Sequence, residues 1–546
     1  MRRLLLFTRF WIASCLPATP SAADSPESYL AASFPAAITR VTVEKDGILI
    51  HGNTPETGRF LLAEAPIEAS LGGEEPSAVP SPAQAVANGS FSLTLPRRIG
   101  GRDRFASRWR ILRQNGDRLE AVSAARYAEE IFHPAPVPPI ARPKSKKGLG
   151  GWTPDPFPDE LDALGIDSVT VNLLLHTFVS LEPGPGTRPF IWQGKTYHAR
   201  ENELARHDKI FLHAAKRGAI VSAILLVANP ARGGDDLVRL LGHPDARPEG
   251  VFAMPNLTSA DGADLYGAIL HLIAARWLAP GGEHGRIHHW IMHNEVDAGW
   301  EWTNAGEKSD IACMDLYHRS MRLMDLIARQ HDPHSRVFIS LTHHWEERGH
   351  PRWYGSRRML DLLARFTAVE GDFPWALAFH PYPQDLFDPT AWDDDQASFT
   401  FHTAKITPRN LEVLDAYMKR SQLLHHGETR PVHLSENGFN SKDYSERSLA
   451  EQAAGMAFAW NKITALSSIE CWHYHNRIDN RHEGGLRIGL RKFPDDPRDP
   501  AGRKPIWRLY QALGTDRESE VCAPYLDLIG INSWDRIRHR DPISEK

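Results

Sequence analysis

Two glutamates close apolar runs in this chain. One run reads Trp290-Ile291-Met292-His293-Asn294-Glu295, the other His433-Leu434-Ser435-Glu436-Asn437-Gly438. Two more such runs end Phe379-His380-Pro381-Tyr382 and Cys471-Trp472-His473-Tyr474-His475. Carboxylates, imidazoles and indoles gathered at strand ends suit acid/base chemistry, with one carboxyl protonated, its partner ionised, and a single bond between them. The bland readings are an ion-paired or helix-capping Glu295, a Glu436 that faces a helix dipole, a turn-forming Asn294 and a core Trp472.

The elements that must position these groups follow from the pattern. From about residue 146, short apolar runs alternate with helical periodicity. Strands are expected at 146–151, 168–176, 219–228, 286–294, 336–343, 375–382, 431–436 and 468–474. Helices are expected at 202–218, 264–279, 308–331, 357–369, 407–424, 446–466 and 505–513, and the stretch 230–262 reads as a long loop. Eight strands in alternation with helices predict a closed α/β fold, a (β/α)₈ TIM barrel, whose active site lies at the carboxyl ends of the strands. The first strand is diluted by Gly148, Gly150 and Gly151. Ahead of the barrel, Asp46-Gly47 and Asn115-Gly116 separate alternating runs, as hairpin turns do. The expected organisation is therefore a leader at 1–23, an all-β sandwich at 24–132, a Pro-rich linker at 133–145 and the barrel at 146–546.

An Asn-Glu pair ending strand four, with a second Glu ending strand seven, resembles the clan A retaining glycoside hydrolases. The stretch Asn294-Glu295-Val296-Asp297-Ala298-Gly299-Trp300-Glu301-Trp302-Thr303 further resembles a little-characterised bacterial family of exported barrels with a β-domain in front. The resemblance spans roughly 146 to 515. It implies that Glu295 is the general acid/base, Glu436 the nucleophile and Asn294 the ligand of a sugar 2-hydroxyl. It implies strand-six roles for His380 and Tyr382, the Tyr bonding the nucleophile, and makes Trp472 the floor of a sugar subsite. Val296 departs from the Pro common after this Glu, and no residue is assigned to the Arg that many members carry near the nucleophile. The implied substrate is a poly- or oligosaccharide. A carboxylate separation of roughly 5–5.5 Å would predict retention of configuration.

The residues alone add lesser candidates. Trp300 and Trp302 after strand four could be sugar platforms; Asn172, Asn229, His343, His344 and His473 could bond sugar hydroxyls. The same rim imidazoles, with His475, leave open a metal-dependent hydrolase, although no His-Glu-x-x-His spacing occurs. A barrel that binds glycans without cleaving them is the other alternative. No Gly-rich phosphate loop, nucleophile elbow or basic aromatic patch is present, so neither a cofactor nor nucleic acid is expected.

Composition fits a soluble globular protein whose partners are uncharged or weakly charged. Apolar residues make up 42%, and the formal charge of −5 is small for 546 residues and points to neither nucleic acid nor an anionic membrane surface. Arg2-Arg3, the apolar run to Leu16 and Ser21-Ala22-Ala23 read as an export signal. Ile12-Ala13-Ser14-Cys15 gives lipidation as the minority reading. The other cysteines, Cys313, Cys471 and Cys522, show neither paired nor metal-ligand spacing. No later segment has the length of apolar sequence a membrane span needs.

Overall fold

The computed structural model describes residues 26–70 and 84–545, so the leader-like segment with Cys15 lies outside the described residues. Eight parallel strands close into a barrel: β1 (Lys147–Leu149), β2 (Ser168–Leu174), β3 (Ile220–Leu226), β4 (His289–Met292), β5 (Arg336–Thr342), β6 (Ala376–His380), β7 (Val432–Asn437) and β8 (Ile469–Tyr474). The cylinder shuts where β1 hydrogen-bonds both β2 and β8. The helices that follow in turn are α1 (Glu160–Leu164), α2 (Glu201–Arg217), α3 (Ala260–Trp277), α4 (Asp310–Ala328), α5 (Ser356–Glu370), α6 (Leu411–Met418), α7 (Glu446–Ile463) and α8 (Pro505–Ala512). Both faces of each strand are covered, which is why β3 is apolar and buried almost throughout.

The helix ends are written locally. Ser259, Ser309 and Ser445 cap α3, α4 and α7 through their hydroxyls. Helix α2 has Glu201 and Glu203 in its first turn and Lys216 and Arg217 in its last, with Gly218 left-handed at its end.

The barrel axis is divided. On the β3–β6 side Ile224, Leu226, Ile291, Phe338, Ala376 and Ala378 form an apolar cluster. On the β7–β8 side lie His433, Ser435 and His473, all buried. The His433 ring sits 4.5 Å from Phe338 and 6.0 Å from His473. Gly148 explains the weak first strand, because a Cβ there would come within 2.6 Å of His473 Cδ2.

Two elements escape the sequence pattern. The segment after β2 forms a three-stranded sheet from Val179–Ser180, Lys195–Arg200 and Thr187–Trp192. The expected loop at 230–262 contains a short helix, Asp236–Leu241, capped by Asp235.

The N-terminal region holds two four-stranded sheets. One runs Glu130–Ile131, Ala37–Val43, Gly47–Thr54, Gly89–Pro96; the other Gln84–Val86, Phe60–Ala65, Arg108–Asn115, Arg118–Ala121. Both predicted hairpin turns are present between these strands. The sheets are fastened to the outside of the barrel. Arg108 forms a fully buried ion pair with Glu370 of α5, and Arg322 of α4 donates to Ala128 O at 2.6 Å. Residues 139–142 line a small cavity with Arg286, His289, Arg336 and Glu470. The Pro-rich stretch therefore lies against the barrel rather than hanging free of it.

Candidate active site

Strand β4 delivers Glu295 through a bent backbone. His293 and Glu295 both have positive φ, +64° and +39°, an uncommon state for side-chain-bearing residues that costs about 1–3 kcal/mol each. Specific bonds hold it. His293 bonds Leu225 O at 3.0 Å through Nδ1 and Ser320 Oγ at 2.9 Å through Nε2. The Glu295 amide donates to Ser340 Oγ of β5 at 3.0 Å. Asp297, fully buried, accepts from the Thr342 amide, the Thr342 hydroxyl and Ser356 Oγ. The turn is thus stitched to β5, and it presents Asn294 and Glu295 half-buried at the mouth.

Strands β6 and β7 supply the rest. His380 Nδ1 donates to Glu295 Oε1 at 2.8 Å, while its Nε2 pairs with Ser435 Oγ at 3.0 Å. Tyr382 donates its hydroxyl to Glu436 Oε1 at 2.8 Å. An oxygen of Glu295, a ring nitrogen of His380 and an oxygen of Glu436 all lie within 4.8 Å of one another. The two glutamates therefore face each other across one cleft.

Charge is arranged around Glu436. Burial alone would push its carboxyl up, but His475, His380 and the Tyr382 hydroxyl outweigh it and hold Glu436 below the usual range, against a smaller opposing push from Glu483. His380 goes the other way. Burial disfavours its charged form, yet Glu436, Glu295 and Asp297 together raise it. His475 is raised to about 9, burial again being overcome by Glu436, Glu483 and Glu295. Asp297 is pushed up to about 6, chiefly by burial and also by Glu295, and its hydrogen bonds oppose the rise.

Several expected residues lie elsewhere. Trp472 is fully buried; it faces outward, against Trp460 of α7 and Tyr510 of α8, and donates to Asn437 Oδ1 at 3.0 Å. It cannot floor a sugar site, because alternation along β8 turns it away from the axis. Its neighbour His473 does point inward but is 0% exposed, sealed against Gly148 below the mouth. His380 stays within the carboxylate cluster, but it is 0% exposed and meets the Glu295 carboxylate rather than a ligand. The ring of Trp300 is covered by the Arg352 guanidinium at 3.9 Å, so it offers no free platform. Asn229 spends its amide on Arg247 O and Gly250 O, closing a loop.

Others are open to the cleft or near it. Asn172 is exposed in register with Ile224 of the inner cluster. Trp302 is half-buried beside Phe252, which packs on that cluster. The His343 and His344 rings lie 4.3 Å apart, tilted by 33°, on the β5 side; burial lowers both, His344 to about 4, and so favours their neutral forms.

Among the described residues, Glu295, His380 and Glu436 are the one group of three with convergent ligand atoms. Both ring nitrogens of His380 are already committed, to Glu295 and Ser435. That leaves two carboxylates, a poor donor set for a tightly held transition metal. His343, His344, His473 and His475 belong to no such group among the described residues.

The sequence reading missed Ser340, Ser435 and Glu483. The two serines share a signal, a small polar residue at an inward position near a strand's carboxyl end. Glu483 lies in irregular chain and had none.

Residues 139–537 match the model of DUF5722, a family of unknown function. The chain belongs to that family. The matched region begins in the Pro-rich stretch and takes in the whole barrel, so this DUF5722 barrel carries every residue of the carboxylate cluster. A search of the curated proteins returns no match. Among solved structures, the DUF5722 chain is similar to a family 39 glycoside hydrolase from Bacteroides cellulosilyticus, with 12% identity and a TM-score of 0.43 over 88% of this chain and 83% of that one. It is similar to an exo-β-1,4-mannosidase from an Opitutaceae bacterium, with 14% identity and a TM-score of 0.41 over 72% and 64%. It is also similar to a glucosidase from Croceicoccus marinus, with 13% identity and a TM-score of 0.41 over 69% of each chain. The chemistry of the DUF5722 site rests on its own geometry.

Proposed function

We propose that this protein is a retaining O-glycoside hydrolase of a poly- or oligosaccharide. The observation that carries the reading is the pair of opposed carboxylates with oxygens within 4.8 Å of each other. Retaining enzymes hold their two carboxyls about 5–5.5 Å apart, whereas inverting enzymes leave about 6.5–9.5 Å for a water.

Glu436, kept ionised by its neighbours, attacks the anomeric carbon. As that bond forms, the bond to the leaving oxygen breaks, and Glu295 gives the oxygen its proton. Glu295, now a carboxylate, takes a proton from water. The resulting hydroxide equivalent displaces Glu436, which departs with its electron pair, and Glu295 is protonated again. Asn294 supplies an amide donor for the 2-hydroxyl, a bond that strengthens as positive charge develops on the ring. Asn172 and Trp302 are the proposed contacts to neighbouring hydroxyls and sugar faces. Export is part of the proposal and rests on the leader-like N-terminus. So is the division into an accessory β-domain and a catalytic barrel.

The test is a polysaccharide panel digested by the parent and by Glu436→Ala, with the first-formed anomer followed by proton NMR. The expected result is a Glu436-dependent digest with retained configuration. Full activity in Glu436→Ala, or an inverted first product, would overturn the assignment.

A further inference from the structure

We propose that His475, clamped by Glu483, is a positioning cation for Glu436, needed for its charge rather than for the space it fills. The proposal rests on reading Glu436 as the nucleophile.

The clamp is built from several sides. Beyond β8, the His475 amide donates to Asn437 O at 2.7 Å, which seats it beside the residue that follows Glu436. Gly438 permits that closeness, because a Cβ there would lie 2.0 Å from His475 O. The His475 ring meets Glu483 Oε2 through Nε2 at 3.3 Å. Asn476 and Asn480 each donate to Glu483 Oε1 at 3.0 Å, so the carboxylate that aims the ring is itself held. Arg477 ties the loop to the far side of β1, donating to Thr153 O and Asp155 O at 2.6 Å.

The charge balance gives the clamp a purpose. His475 contacts Glu483 of its own loop directly, and the charges of Glu436 from β7 and Glu295 beyond β4 act on it as well. Three carboxylates around one cleft need cations. Of the groups that favour the ionised form of Glu436, His475 is the largest and His380 the next.

The two halves of the reaction should feel this cation differently. In the first half Glu436 loses its negative charge into an ester, so a nearby cation gives no help. In the second half the ester C–O bond breaks, the electron pair returns to Glu436, and the cation stabilises the charge as it appears. His475 therefore belongs to the release of the sugar from the enzyme.

His475→Gln keeps a donor near Glu483 but carries no charge. Relative to the parent, it should lower kcat roughly tenfold and lower KM with it on substrates with good leaving groups, as the intermediate accumulates. It should also move the acid limb of kcat/KM upward. His475→Lys should recover part of the kcat loss. A parent-like His475→Gln, or a His475→Lys no better than His475→Gln, overturns the proposal.

A second measurement needs no substrate. In the full chain with ¹³C-labelled histidine, the His475 ring should titrate well above a free imidazole, and its pKa should drop in Glu436→Gln. A His475 that is neutral at pH 7.5 overturns the pairing even if the protein cleaves sugars. A protonated His475 in a protein inert towards every glycan supports the pairing and defeats only the glycosidase reading.

Discussion

Tyr382 of the β6 end donates its hydroxyl to Glu436 Oε1 of β7 at 2.8 Å. This bond does two things: it fixes the carboxylate's rotamer, and it favours the ionised form. A hydrogen bond to a charged group contributes about 1.5–3 kcal/mol, or roughly 10- to 100-fold in rate if it acts in the transition state. Tyr382→Phe should therefore cut kcat/KM by that factor and raise the acid limb of its pH profile. Steady-state kinetics from pH 4 to 9 would check both, and a loss below about threefold would mean that the hydroxyl is dispensable.

His380 acts through Glu295, so its loss should depend on the leaving group. An activated aryl leaving group departs without a proton, whereas a sugar alkoxide needs one. Glu295→Gln should thus retain far more activity on activated aryl glycosides than on oligosaccharides. His380→Phe should show the same bias, more weakly, because Glu295 remains but loses its 2.8 Å anchor. Equal losses on both substrate types would separate His380 from proton donation.

His475 also gives a pH-dependent stability with a definite sign. Its folded pKa, about 9, lies above the unfolded value of about 6.5, so the folded state binds more protons between those limits. The stabilisation is fully present below about pH 6.5 and is lost as pH rises through about 9. Urea unfolding of the parent and of His475→Gln should therefore diverge at pH 6 and converge above pH 9. A constant gap would mean that His475 does not gain a proton on folding.

The barrel was legible because its strands are short apolar runs with both faces covered, and its helices carry their own caps and end charges. Glu295, Glu436 and Tyr382 were legible because each stands at a strand's carboxyl end, where the closed topology permits only the mouth. Orientation at those ends was harder. Trp472 and His473 are neighbours on β8, and which of the two faces the axis depends on register. Burial fixes that register through the space that Gly148 leaves for His473. The sheet between β2 and α2 is local, Thr187–Trp192 pairing with Lys195–Arg200 across the two-residue Gln193-Gly194 turn, but its strands are largely exposed and carry no apolar alternation to read. The Glu483 clamp joins residues three to eight positions apart in irregular chain, where no period marks them. The counter-charges of Glu436 are two imidazoles, one ending β6 and one just past β8, and no local spacing announces such a pair.

Gly148 offers the sharpest test of the axis. Its amide donates to Tyr510 Oη at 3.0 Å, and its carbonyl accepts from the same hydroxyl at 2.6 Å, so the backbone cannot retreat. An added Cβ would meet His473 Cδ2 at 2.6 Å and Ser168 Oγ at 2.7 Å. Overpacking of this kind costs about 1–3 kcal/mol. Gly148→Ala should lower the thermal unfolding midpoint, and His473→Ala should lower it separately by opening a cavity. Because the two side chains compete for one space, the double variant should be more stable than the sum of the single losses predicts, by about 0.5–3 kcal/mol. Strict additivity of the two midpoints, measured at one scan rate, would place the His473 ring away from Gly148 and would undo the packing account of the first strand.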